Sequence, residues 1–389
     1  MLSSTTTARD GQPLPDADRP VRPHPSSQAA TPPTAGRRLG GAESLLTGCA
    51  LVVCLAAQLP HRILDATGIR AWSLALVVAV TVVSGVRAVA RAPFALARSL
   101  RDEPSRSAAV RHWARSEATV ALVSIAAGAA FTLPLYALLR ATPAWWLPAW
   151  LLFAAVTVVW QLAMPFTIAA RAGALTPAPA PHDDRLRALA ARAGVDVPAG
   201  IAVAGKPGRR RCNAYVVGFG PARRVVLEQG VATWPAELLD QVVAHELGHV
   251  RLGHNARRLP LTLLAQLATL AAAAAVLAFQ PLLDWAGVAS AGDPRSYPLL
   301  LVAGALVALP ARCLLAWRDR AQERAADRFA LALLDRPDHF AAMLHRVAED
   351  SGAPRRLPWW QRLTATHPPV DERAAAALPL PVRPTPTGA

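Results

Sequence analysis

The stretch Ala236-Glu-Leu-Leu-Asp-Gln-Val-Val-Ala-His245-Glu246-Leu247-Gly248-His249-Val250 decides how this chain is read. Leu239, Val242, Val243, Leu247 and Val250 recur at helical spacing, which predicts a buried helix. On a helix His245 and His249 lie four apart and project from one face. That spacing lets two imidazoles share a single Zn²⁺. Glu246 stands next to the pair, where it can reach a metal-bound water as general base. A core helix carrying these groups by chance would bury two imidazoles and a carboxylate without partners, which is unfavourable.

The composition around this helix points to a membrane. Of 389 residues 53% are hydrophobic, and the mean hydropathy is +0.27, high for a soluble enzyme. The net charge of +15 is nearly all arginine, since Lys206 is the only lysine. These arginines flank apolar runs and are not interleaved with aromatics on a soluble surface. They therefore suit topology and anionic lipid, and no nucleic-acid partner is expected. Cys49, Cys54, Cys212 and Cys313 form no C-x-x-C pair, so neither a disulfide framework nor a cysteine metal site is indicated.

Six apolar runs predict six spans, at about 45–59, 71–86, 118–139, 144–170, 259–279 and 297–317. The first is short and ends at Pro60; the fourth carries Trp145, Trp146 and Trp150 at one end, as at a membrane interface. Arg87, Arg91, Arg98, Arg101, Arg106, Arg111 and Arg115 crowd the segment between spans two and three. Arg37-Arg38 precede span one, and Arg318, Arg320 and Arg324 follow span six. By contrast, the loop between spans three and four holds only Arg140, and that between five and six only Arg295. Positive charge on the inner side then places both termini in the cytoplasm, as an even number of spans requires. No secretory signal is read at the start, where the first apolar run follows Arg37-Arg38.

The expected organisation is a disordered Pro-rich tail over 1–38, then four spans with a basic cytoplasmic loop over 39–172. A first part of a catalytic domain follows over 173–258, a transmembrane hairpin over 259–317, a second catalytic part over 318–378, and a tail over 379–389. Within the first part, 176–181 reads as a stiff Pro linker and 184–193 as an amphipathic helix. The runs 201–204, 214–217 and 225–227 read as a small sheet. The fold class is mainly α: a polytopic membrane protein with an H-E-x-x-H domain.

Two histidines need a third protein ligand to make a catalytic zinc site. It must lie on the same side of the membrane, where the chain re-emerges near Trp317. There Glu323-Arg-Ala-Ala-Asp327 has helical apolar spacing, which makes Glu323 the candidate ligand. Asp327, one turn on, is placed to fix the tautomer of a ligating imidazole. An exposed carboxylate pair among arginines would give the same local pattern.

The chain resembles the membrane zinc endopeptidases that include the CAAX prenyl protease and the bacterial heat-shock membrane protease. The residues that carry the resemblance are Asn213-Ala-Tyr-Val-Val-Gly218, His245-Glu-Leu-Gly-His249, Glu323-Arg-Ala-Ala-Asp327 and Thr366-His-Pro-Pro-Val-Asp-Glu-Arg373, in matching order over roughly 140–378. The stretch from Arg211 to Leu227 looks closer to the prenyl protease branch. The resemblance implies that His245, His249 and Glu323 bind one Zn²⁺ and that Glu246 is catalytic. It further implies that Asn213 meets peptide substrate or the oxyanion, unless it is only a turn residue. His367 would donate to the tetrahedral intermediate, unless it merely caps a loop, and Arg373 would secure its loop through a carboxylate. His254, five after His249, is off the ligand face and reads as interfacial; Trp359 and Trp360 read as a membrane-surface contact.

The expected function is a membrane zinc endopeptidase acting at the cytoplasmic face on protein or peptide substrates associated with the bilayer. An Ala- and Arg-dominated composition points to a bacterial cell membrane, so the chemistry of the resemblance is carried over without a prenylated substrate. The alternatives are a zinc-peptidase signal transducer that cleaves one regulator, and a catalytically idle membrane scaffold.

Overall fold

The computed structural model describes residues 33–103, 105–172, 175–205, 213–218, 220–351 and 354–378. Most of the expected tail over 1–38, all of that over 379–389, and Lys206 and Cys212 lie outside these residues. Helix α1 (Pro33–Ala56) already runs within the stretch read as tail. It is followed by α2 (Leu59–Thr67), and the two meet at 51°, so the short first run is a bent pair and not a straight span. Gln58 makes the break in the left-handed region at φ 49°, and Pro60 enters the first turn of α2 where its missing N–H has no use. Helices α3 (Trp72–Asp102), α4 (Arg106–Ala141) and α5 (Trp146–Ala172) follow. Leu76, Val80 and Val83 of α3 pack with Tyr136 of α4, while Leu122, Val123, Phe131, Val159 and Trp160 point outward. An apolar outer surface is what helices facing lipid present.

The segment 176–181 is not the stiff linker its prolines suggest. Thr176–Pro177 forms strand β1, antiparallel to β2 (Ile201–Ala204), and α6 begins at Ala180 and ends at Arg192. A proline is accommodated there because β1 is an edge strand. Strand β3 (Ala214–Val217) and β4 (Arg224–Glu228) complete a sheet of order β1-β2-β4-β3, with β2 and β4 parallel. Asp183 of α6 accepts from the Ile201 N–H at 3.1 Å, pinning the helix to the sheet. Helix α7 (Ala236–Arg251) follows and buries Leu239, Val243 and Leu247 against Leu186, Val225, Leu227 and Phe340.

Gly253, left-handed at φ 68°, separates α7 from α8 (His254–Leu277). After α9 (Gln280–Trp285) comes α10 (Tyr297–Leu334), then α11 (Pro337–Ser351), α12 (Trp359–Arg362) and α13 (Val370–Ala377). Among the described residues, helices α3, α4, α5, α8 and α10 are long and apolar enough to cross a membrane, and the bent α1–α2 pair is a sixth candidate, counted only if the two helices form one span. The sequence ends span six near Trp317, but α10 continues as one helix of 38 residues. That is about 57 Å of helix against about 30 Å of hydrocarbon, so its C-terminal turns stand outside the bilayer. The molecule is thus a multi-pass membrane protein whose small α/β part is threaded onto spans five and six.

Candidate metal centre

The two helices that build the centre are pressed together at Gly248. A Cβ there would stand 3.3 Å from Ala326 Cα, 3.4 Å from Ala326 O and 3.1 Å from Phe329 Cδ1. The absence of a side chain lets α7 lie on α10 at the level where His245 and His249 face Glu323. All three ligand atoms lie within 4.8 Å of one another, and His245 and Glu323 are buried.

The distances describe a triangle. His245 Nε2 and His249 Nε2 are 3.2 Å apart, His249 Nε2 is 3.3 Å from Glu323 Oε1, and His245 Nε2 is 3.5 Å from Glu323 Oε2. A tetrahedral zinc ion with arms of about 2.0–2.1 Å has edges of about 3.3–3.4 Å. Three donors at that spacing fit one face of such a tetrahedron. Glu323 Oε2 is buried, and the basic groups that approach it make no well-directed hydrogen bond, which leaves the oxygen able to ligate an ion.

Behind the triangle stands a second set of groups. His245 Nδ1 lies 3.0 Å from Asp327 Oδ1, a close contact whose angle departs from that of a good hydrogen bond. Arg373 grips Asp327 with two bonds, Nε to Oδ2 at 2.9 Å and Nη2 to Oδ1 at 2.6 Å. Its Nη1 also stands 3.4 Å from Glu323 Oε2, and His367 Nδ1 approaches the same oxygen at 2.9 Å. The carboxylates draw positive charge inward. Burial works against a charged His245, yet Asp327 and Glu323 lift its pKa to about 9. Arg373 is likewise raised, its burial outweighed by Asp327. Burial pushes the Glu246 carboxyl above its ordinary value, with His245 and His249 pulling the other way. Among the described residues the Glu246 carboxylate makes no hydrogen bond, and its neighbours act on it through charge alone.

Of the residues singled out in the sequence, His245, Glu246, His249, Glu323, Asp327, His367 and Arg373 converge here. No hydrogen bond among the described residues joins Asn213 to them. It is exposed at the start of β3, its Oδ1 accepts from the Ala214 N–H at 3.1 Å, and the strand it opens packs beside α7. His254 is the residue the sequence misplaces. It is buried, and its Nδ1 lies 2.9 Å from His249 Nδ1. Burial and then the neighbouring His249 push it down to about 4, so it is neutral and can accept the His249 Nδ1–H. That bond leaves His249 Nε2 free for a metal.

Residues 182–379, just over half of the chain, match the model of peptidase family M48. The chain belongs to peptidase family M48. Its fold is similar to the crystal structure of S. mikatae Ste24p, with a TM-score of 0.55 and 18% identity over 69% of this chain and 67% of that one. No curated protein matches the chain. M48 peptidases are zinc-dependent, and this M48 chain is a membrane metallopeptidase. The resemblance read from the four motifs is thereby borne out.

Proposed function

We propose that this M48 protein is an endopeptidase that cleaves membrane-associated proteins or peptides at the cytoplasmic face of a bacterial cell membrane. His245, His249 and Glu323 hold its single zinc ion, and Glu246 is the general base. The observation that carries this reading is the ligand triangle, with edges of 3.2, 3.3 and 3.5 Å, beside the Glu246 carboxylate, which has no hydrogen-bond partner among the described residues.

Held by His245, His249 and Glu323, zinc would supply Lewis acidity and lower the pKa of the attacking water to about 7. Glu246 takes a proton from the attacking water on its carboxylate and returns it to the leaving amine nitrogen. Its raised pKa suits both halves of that transfer. His367 turns Nδ1 toward Glu323 and is the one imidazole of the site with a largely exposed side chain, so it is positioned to donate to the oxyanion as charge develops. Asp327 and Arg373 orient His245 and Glu323 and do no proton chemistry. Strand β3, at the edge of the sheet and against α7, offers an extended substrate a place to pair, with Asn213 at its head. Positive charge beside the spans favours the cytoplasmic side for all of this.

The test is Glu246→Gln, assayed on peptides presented in detergent or liposomes. Zinc should remain while hydrolysis falls by roughly 10²-fold or more. A chelator should abolish the wild-type activity and added zinc restore it. Equal rates for wild type and variant would show that the hydrolysis arises elsewhere.

A further inference from the structure

Outside the metal centre, the most conspicuous exposed apolar group on the α/β part is at α12. Trp359, Trp360 and Leu363 are 75%, 51% and 49% exposed, three large apolar side chains within five positions. Between residues 354 and 363 the only charges are Arg355, Arg356 and Arg362, all exposed; the first two are paired with Asp371 and the third stands 3.7 Å from Glu372. A protruding aromatic tip rimmed by guanidinium groups is the composition of a membrane-interface contact.

Three contacts set the depth of this tip. Arg320 donates through Nη1 to the Ala365 carbonyl at 2.7 Å, joining the strap after α12 to α10 three residues past Trp317. Asp319, on the same turn of α10, is 3.8 Å from Arg258 near the start of span five. Trp317 and Leu314 point outward just below, 60% and 64% exposed. The strap therefore lies where both spans leave the apolar layer, at the level of an interfacial aromatic belt. Its ends are closed by Arg355 and Asp371, through the Asp371 N–H to the Arg355 carbonyl at 3.1 Å and Arg355 Nε to Asp371 Oδ1 at 3.0 Å. The tip of a loop closed in this way can seat as a unit.

We infer that the Arg355–Leu363 segment docks on the headgroup region of the anionic bilayer that the same chain spans. Trp359, Trp360 and Leu363 insert among the headgroups, and Arg356 and Arg362, whose side chains stay 88% and 50% exposed beside Asp371 and Glu372, meet lipid phosphate. His367 follows four residues later on the same strap, so the docked tip holds that side chain beside Glu323. The role of His367 rests on the peptidase reading; the docking does not.

The experiment places an environment-sensitive nitrobenzoxadiazole label at Leu363→Cys, with the four native cysteines replaced by serine. The full chain is reconstituted in phosphatidylcholine vesicles containing phosphatidylglycerol. Glu237→Cys, exposed at the far end of α7, is the control. The label at 363 should be blue-shifted, quenched by shallow doxyl lipid and shielded from iodide, and the control should show the reverse. Adding Trp359→Ser and Trp360→Ser should abolish the doxyl quenching while zinc content stays at one site's worth. A label at 363 open to iodide overturns the docking, and so does one shielded from both quenchers, which would mean a protein contact. Peptide hydrolysis measured in the same vesicles keeps the two readings apart, since an active enzyme with its label in water refutes only the docking.

Discussion

Gly248→Ala tests whether the contact between α7 and α10 sets the metal centre. Carbon atoms pack at about 3.5–4.0 Å, so a new methyl at 3.3 Å from Ala326 Cα needs about 0.2–0.7 Å of separation. The Phe329 ring can turn away; the Ala326 backbone cannot. Alanine is the better helix former by about 1 kcal/mol, which offsets part of an overpacking cost of about 1–3 kcal/mol. The fold should therefore lose no more than about 2 kcal/mol on those terms. The metal should suffer more. Glu323 lies one turn before Ala326 on the same helix, and ligand distances hold only within about ±0.2 Å. Zinc affinity should fall about 10–100-fold, the size of effect seen when groups that support the ligands are disturbed. The assay is zinc competition with a chromophoric chelator in detergent, beside thermal unfolding of metal-free and loaded protein. A variant that binds zinc as wild type does, with a higher Tm when metal-free, would show that the helices have slack at this contact.

Other substitutions probe the surrounding groups. His254→Ala removes the partner of His249 Nδ1 and should weaken zinc binding about 10–100-fold while leaving the fold intact; unchanged affinity would return His254 to a packing role. Arg373→Ala leaves Asp327 buried without its fork and should cost about 3–5 kcal/mol in unfolding, whereas Arg373→Lys should recover only part, because an ammonium cannot make both bonds. His367→Ala should keep zinc and lose roughly 10²-fold in kcat; a change confined to KM would place it in substrate binding instead. Reporter fusions after Arg98 and Ala376 should read as cytoplasmic, and those after Asp65, Pro143 and Asp293 as the opposite side. A cytoplasmic signal at Asp65 would show that the bent α1–α2 pair does not cross.

Much of the centre was legible because it obeys helical phase. His245 and His249 share a face by spacing alone, and the apolar residues around them announce the buried side of α7. Asp327 follows Glu323 by the same interval. His254 escaped because five residues along one helix turn a side chain well away from the ligand face. The chain is not one helix there: left-handed Gly253 reorients it, and His254 returns to lie on His249. A glycine four residues after the motif was the available clue. The strand at Thr176–Pro177 escaped for a different reason, since two residues in a proline-rich stretch have no period, and only the partner β2 makes them a strand.

The continuity of α10 was the larger omission, and it changes how the centre is understood. Hydropathy ends a span where charge begins, near Trp317, although nothing in Arg318-Asp-Arg-Ala-Gln322 breaks a helix. Because α10 does not break, Glu323 is carried on the rigid extension of span six. His249 is carried just before span five, with Gly253 as the only turn between. The ligands therefore stand at the two ends of one membrane hairpin, and α8 packs along α10. A carboxylate and two imidazoles at edges near 3.3 Å need sub-ångström placement, which loops seldom supply. Here two packed spans supply it, and Gly248 lets the helices close the last few tenths of an ångström. On this account the bilayer segment does more than tether the α/β part, because the packing of spans five and six is a condition for the ligand triangle to exist.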